Sequence, residues 1–244
     1  MNEFLSAFSV TSTFLILGYG FLLGLKHATE ADHLAAVSTI VSERKSLFSS
    51  AVVGGIWGLG HTISLFVAGV FVLLLNFQIS ERTERTLEFF VGVMLFLLGL
   101  NVLRKLIAGG HLHFHEHQHQ GHKHVHPHVH AHQDEADTHH GFSFSPRALV
   151  VGMVHGLAGS AALMLMLIPT IESRLVGLLY IVVFGVGSIG GMMLMSFLVG
   201  LPFKLTETKF NRLNYFLQSA AGLVSIGLGL FIVYQKGVTE GLFG

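Results

Sequence analysis

Long apolar runs alternate with short polar interruptions along this chain. The runs lie at 12–41, 51–76, 87–108, 148–170, 174–202 and 213–235, and each reaches the ~20 residues a helix needs to cross the hydrocarbon core. The interruptions carry turn and charge signals at Ser42-Glu43-Arg44-Lys45, Ser80–Arg85, Glu172-Ser173-Arg174 and Lys204–Arg212. The pattern predicts an all-α fold, a polytopic membrane helix bundle of about six transmembrane helices. The first run is too long for one straight helix at about 1.5 Å per residue. It must tilt, break or re-enter around Lys26–Asp32, and a new helix starting near His27 would raise the count to seven.

Composition agrees with that reading. Hydrophobic residues make up 51% of the 244 positions and charged residues only 11%, where a soluble domain carries about 25%. Glycine, at 29 residues, lets membrane helices approach closely. The chain has no cysteine, which excludes disulfides and thiolate metal ligands. The first residues, Met1-Asn2-Glu3-Phe4, lack a basic n-region, so the first run reads as an uncleaved span. The lysines and arginines set an orientation. With six spans, Arg44, Lys45, Arg104, Lys105, Lys123, Arg147, Lys204, Lys209 and Arg212 share one side, against Arg82, Arg85, Arg174 and Lys236 on the other. The richer side is expected in the cytoplasm of a prokaryotic inner membrane. Neither a Gly-x4-Gly-Lys-[Ser/Thr] phosphate loop nor a His-Glu-x-x-His zinc-hydrolase motif occurs. No enzyme activity, prosthetic group or nucleic-acid partner is expected.

One connection differs from the others. Thirteen of the seventeen histidines fall between His111 and His140. They recur at every second position, at His111, His113, His115, His117 and His119, and again at His122, His124, His126, His128, His130 and His132. The segment 109–147 is therefore expected to be a histidine-rich disordered loop that captures divalent metal. It separates a first transmembrane half, 1–108, from a second, 148–244.

The halves resemble each other. Lys26-His27-Ala28 aligns with Val154-His155-Gly156, and Trp57-Gly58-Leu59-Gly60-His61 with Phe184-Gly185-Val186-Gly187-Ser188. The anchors are 34 residues apart in the first half (27 to 61) and 33 in the second (155 to 188). Three spans per half would make the repeats inverted in the membrane, with a substrate site between them near the midplane.

The chemistry concentrates in His27-Ala28-Thr29-Glu30-Ala31-Asp32-His33, within the first apolar run. An ionised side chain at membrane depth costs roughly 2.5–3.5 kcal/mol on insertion scales, so such a cluster faces an ion, a partner or a polar cavity. Imidazoles and carboxylates without thiols suit a borderline divalent metal. On a regular helix, however, His33 stands about 120° from His27, and Asp32 about 140° away on the other side. A tightened or unwound turn is needed to bring His27, Asp32 and His33 onto one ion. Glu30 is a further ligand or the partner that fixes an imidazole, or else a partner for Lys26. His61, flanked by Gly58 and Gly60, is the candidate from the second span. In the second half His155 pairs with His27, while Ser160 and Ser188 pair with Asp32 and His61.

His-Ala-x-x-Ala-Asp-His followed by Leu-Gly-His-Thr in the next span resembles the nickel/cobalt transporter (NiCoT or NicO) superfamily, most closely its shorter urease-associated nickel permease branch. The resemblance covers nearly all of the chain outside the histidine loop. It implies that His27, Asp32, His33 and His61 select the metal and that the cargo is nickel or cobalt. Inward movement is expected because the membrane potential alone can drive it, with a metallochaperone or nickel-enzyme maturation system as the expected partner. The Phe-Asp-Thr-x-Thr-Glu type motif of larger members is absent, and the histidine-rich loop resembles the efflux branch. Efflux within the same superfamily and zinc transport are the alternative readings. A copper(I) carrier using Met164, Met166, Met192, Met193 and Met195 fits the hard His/Asp cluster less well. A membrane-bound metal store would bind the ion without moving it.

Overall fold

The first apolar run breaks at its charged cluster. In the computed structural model, which describes residues 2–42, 44, 46–75, 80–108, 112–119, 122–129, 145–158, 173–207 and 210–243, helix α1 spans Asn2–His27 and helix α2 spans Ala31–Val41. Between them Thr29 and Glu30 donate backbone N–H groups to the carbonyls of Lys26 (2.9 Å) and His27 (3.1 Å). The Thr29 hydroxyl donates to the Lys26 carbonyl at 2.6 Å, a local bond that competes with helix continuation. Glu30 is extended (φ −67°, ψ 150°) and α2 begins at the next residue.

Among the described residues five more helices follow: α3 (Leu47–Leu75), α4 (Glu81–Ala108), α5 (Pro146–Gly156), α6 (Arg174–Thr206) and α7 (Asn211–Tyr234). A π-helical turn, Gln235–Thr239, extends α7. Proline at the start of α5 forfeits only an N–H that has no partner within the helix, and the Ser173 hydroxyl caps α6 by accepting from the Val176 N–H. Among the described residues, four helices are long and apolar enough to cross a membrane: Leu47–Leu74, Glu81–Ala108, Arg174–Thr206 and Asn211–Thr239. Large apolar side chains stand exposed on their outer surfaces, Phe90 and Phe231 among them. That surface suits lipid, and the protein is an integral membrane protein.

The count of six continuous spans is not reproduced among the described residues. The first run is two shorter helices, and the fourth is helical only over α5, with 159–172 outside the described residues. Within the histidine-rich connection, two described stretches are extended. Leu112–His119 (β1) and His122–Val129 (β2) pair antiparallel, with His113 opposite His128, His115 opposite His126, His117 opposite His124 and His119 opposite His122. A period-two alternation of residue types is compatible with a strand even without an apolar face.

Glycines set the helix separations that matter for the site. A Cβ on Gly24 of α1 would strike the Phe184 carbonyl of α6, and one on Gly152 of α5 would strike the Trp57 carbonyl of α3. Likewise Gly187 lies against the Phe21 carbonyl and Gly60 against the Leu149 carbonyl. Gly191 faces the Leu25 carbonyl, while the Ser64 hydroxyl donates to the Met153 carbonyl at 2.8 Å. Thus α1 is held against α6, and α3 against α5, with backbones nearly in contact. Helices α4 and α7 meet similarly through Gly92 against Gly229 and Gly99 against Gly222. The Ser225 hydroxyl ties them further, donating to the Leu95 carbonyl at 2.8 Å. Near the end of this pair, Lys236 bridges Glu88 (2.5 Å) and Glu240 (2.9 Å).

Candidate metal centre

Four imidazoles and one carboxylate converge where α1 ends, α2 begins, α3 crosses and α5 ends. His27 is the last residue of α1, and its Nδ1 lies 3.0 Å from the Glu30 carboxylate. Asp32 and His33 occupy the first turn of α2. There the Asp32 Oδ1 accepts the His33 backbone N–H at 2.9 Å and lies 3.1 Å from the His33 Nδ1. His155, near the end of α5, brings its Nε2 within 2.8 Å of the other Asp32 oxygen. His61 reaches the cluster from α3, its ring centroid 5.1 Å from that of His27 and 5.4 Å from that of His33. All four histidines are buried.

The break between α1 and α2 makes this convergence possible. A continuous helix would have splayed His27 and His33 about 120° apart, whereas their rings stand 4.3 Å apart, edge to face. Among the described residues two groups of possible donors result, each with its ligand atoms within 4.8 Å of one another: His27, His33 and His61, and Asp32, His33 and His155. The Nε2 atoms of His27 and His33 and the Nδ1 of His155 are buried with no hydrogen-bond partner among the described residues. Leaving such a nitrogen bare costs about 1–3 kcal/mol. Neutral imidazole nitrogens with a single carboxylate are a donor set for Ni, Co, Zn or Cu(II) rather than for Mg or Ca.

The other candidates fall into place individually. Glu30 sits outside both donor groups and is the hydrogen-bond partner of His27. Ser188 is fully buried on α6, with its backbone against Gly24, and belongs to neither group. Ser160 lies outside the described residues, as do His111, His130 and His132. Two aromatic residues that served only as alignment anchors line the site. Trp57 packs against His33 (5.3 Å) and His155 (5.7 Å), and Phe184 against His27 (5.7 Å). The signal for Trp57 was present in the sequence, because it lies one turn from His61 on the same helix face.

Comparison with known proteins bears on what holds such a site. Residues 35–231 match the family described as the cytochrome C biogenesis protein transmembrane region. Urease accessory protein UreH of Bacillus sp. (strain TB-90) is 40% identical over 228 residues, covering 93% of this chain and 94% of that protein. The chain belongs to the UreH family of urease-associated, nickel permease-like membrane proteins. Over a shorter stretch, the high-affinity nickel transport protein of Cupriavidus necator is 33% identical over 70 residues, 28% of this chain and 19% of its own. Chloroplast protein FOR GROWTH AND FERTILITY 2 of Arabidopsis thaliana is 27% identical over 219 residues, 89% of this chain and 55% of its own. No solved structure matches the chain. By their names, the UreH and nickel-transport relatives are an accessory protein and a transport protein. A chain without cysteine also has no side chain with which to exchange disulfides.

Proposed function

We propose that this protein carries nickel, with cobalt as the closest competitor, inward across a prokaryotic inner membrane through the His27/Asp32/His33/His61 cluster, and supplies a urease-type maturation system. The convergence of buried imidazoles and Asp32 at the α1–α2 break carries this reading, since it supplies metal donors inside a membrane-spanning bundle. The names of the UreH and nickel-transport relatives agree with it. Inward movement needs no further energy source, because a divalent cation gains roughly 4.6 kcal/mol per 100 mV of inside-negative potential.

Matched contacts support two inverted repeats around the site. When His27 is aligned with His155 and Trp57 with Phe184, Gly24 against Phe184 corresponds to Gly152 against Trp57, and Gly187 against Phe21 corresponds to Gly60 against Leu149. Gly191 against Leu25 likewise corresponds to Ser64 bonded to Met153. The ring pairs Phe184–His27 and Trp57–His155, both at 5.7 Å, follow the same exchange.

Nickel and cobalt flux into proteoliposomes under a potential of either sign tests the function. Inward flux driven by an inside-negative potential is expected. Flux only against such a potential, requiring a proton gradient, would favour export, and metal bound without flux would favour a store. The histidine loop is read as a cytoplasmic capture device outside the pathway. Deleting 111–140 should leave the rate at saturating nickel within about twofold and weaken accumulation when nickel is scarce. Complete loss of flux in a well-expressed deletion would put the loop in the pathway.

A further inference from the structure

The five donors do not form one shell. His33 stands between two groups: its ring is 4.3 Å from that of His27 and 5.4 Å from that of His61 on one side, and 4.1 Å from that of His155 on the other. The rings of His61 and His155 are 6.2 Å apart. Donors on one metal at about 2.0–2.1 Å lie within about 4.2 Å of each other, a distance that each triad approaches and the full set of five does not. The two nitrogens of His33 are also placed differently. Its Nδ1 faces Asp32 at 3.1 Å, while its Nε2 is buried without a partner among the described residues.

We infer that the cluster is two overlapping stations for a single divalent ion, His27/His33/His61 and Asp32/His33/His155, with His33 as the ligand that passes the ion between them. The inference rests on the transport reading and adds His155 as a ligand of the second station. In the state observed, Asp32 is engaged by the His33 N–H, the His33 ring and His155. It steadies His33 so that Nε2 faces the first station, the role a carboxylate plays behind a metal-bound imidazole. The second station forms when the ion takes the place of those two ring hydrogen bonds. The first station is all imidazole, from α1, α2 and α3 of the first half. The second carries a negative charge and draws His155 from α5 of the second half. A handover between them takes the cargo from a station of the first half alone to one that both halves share, as a site between two rocking halves requires. Because His33 is shared, one ion is held at a time.

Trp57 supplies a local readout in the full-length protein. It is the only tryptophan in the chain, and its ring packs on both His33 and His155. Nickel added to the purified protein is expected to quench Trp57 emission saturably. His61→Ala and His155→Ala should each retain saturable quenching, with apparent affinity weakened by about two- to tenfold, because the remaining station still holds the ion. The double variant and His33→Ala should lose quenching. Nickel flux should fall more than about tenfold in each single variant, since a relay fails when either end is missing. Because the His33 and His155 rings touch Trp57 itself, a far-UV circular dichroism spectrum matching that of the wild type reports that each variant is folded. If either single variant lost quenching as completely as His33→Ala, the donors would be one joint site and the relay would be overturned. Wild-type protein with neither saturable quenching nor flux would instead defeat the transport reading.

Discussion

Asp32→Asn is expected to cut nickel flux by roughly three orders of magnitude. The amide keeps the size of the carboxylate and an oxygen to accept the His33 backbone N–H, now 2.9 Å away. What it removes is the one negative charge shared by the His33 and His155 partnerships. A unit charge pair at 4 Å is worth about 4 kcal/mol at an effective dielectric of 20, and about 1.4 kcal/mol corresponds to a factor of ten. Proteoliposome uptake of radioactive nickel measures the loss, and Trp57 emission checks that the fold persists. Uptake near the wild-type rate would remove Asp32 from the ion's path.

Gly152→Leu should disable the protein by a different route. Gly152 has the Trp57 carbonyl where a Cβ would sit, so a larger side chain must push α5 away from α3. Overpacking of this kind costs typically about 1–3 kcal/mol. The larger consequence is geometric, because α5 carries His155 to within 2.8 Å of Asp32 and α3 carries His61. Flux is expected to fall more than about tenfold, with a lowered melting temperature in detergent. Gly227→Leu is the matched control, since a Cβ there meets nothing within 4 Å. Equal behaviour of the two variants would show that the α3–α5 contact does not hold the site together.

The membrane class was legible because a chain this poor in charge has too little polar surface to keep so many apolar runs of spanning length out of lipid. The break near His27 was legible as well. Four ionisable residues within seven are costly along a lipid-facing helix, and one regular helix cannot aim His27, Asp32 and His33 at a common point. Less legible was the fourth run, whose continuous hydropathy concealed the end of α5 at Gly156. Hydropathy averages over a window and does not register a local helix stop. The strand pairing of 112–119 with 122–129 was not drawn from the sequence because the segment has no apolar run to suggest a strand, although the alternation of its histidines has the period of one.

By itself, the sequence determined the solvent, the candidate donor types and that one regular helix could not aim His27, Asp32 and His33 at a common point. These depend on residue chemistry and on spacing along one stretch of backbone. Tertiary structure alone decided that His155 meets Asp32 across 123 residues and that Trp57 and Phe184 wall the cluster. It also decided that His33 stands between two donor groups. Those relations depend on how closely and at what height separate helices pack. Glycines such as Gly24, Gly60 and Gly152 permit that closeness, but only the assembled bundle selects which carbonyl each one meets.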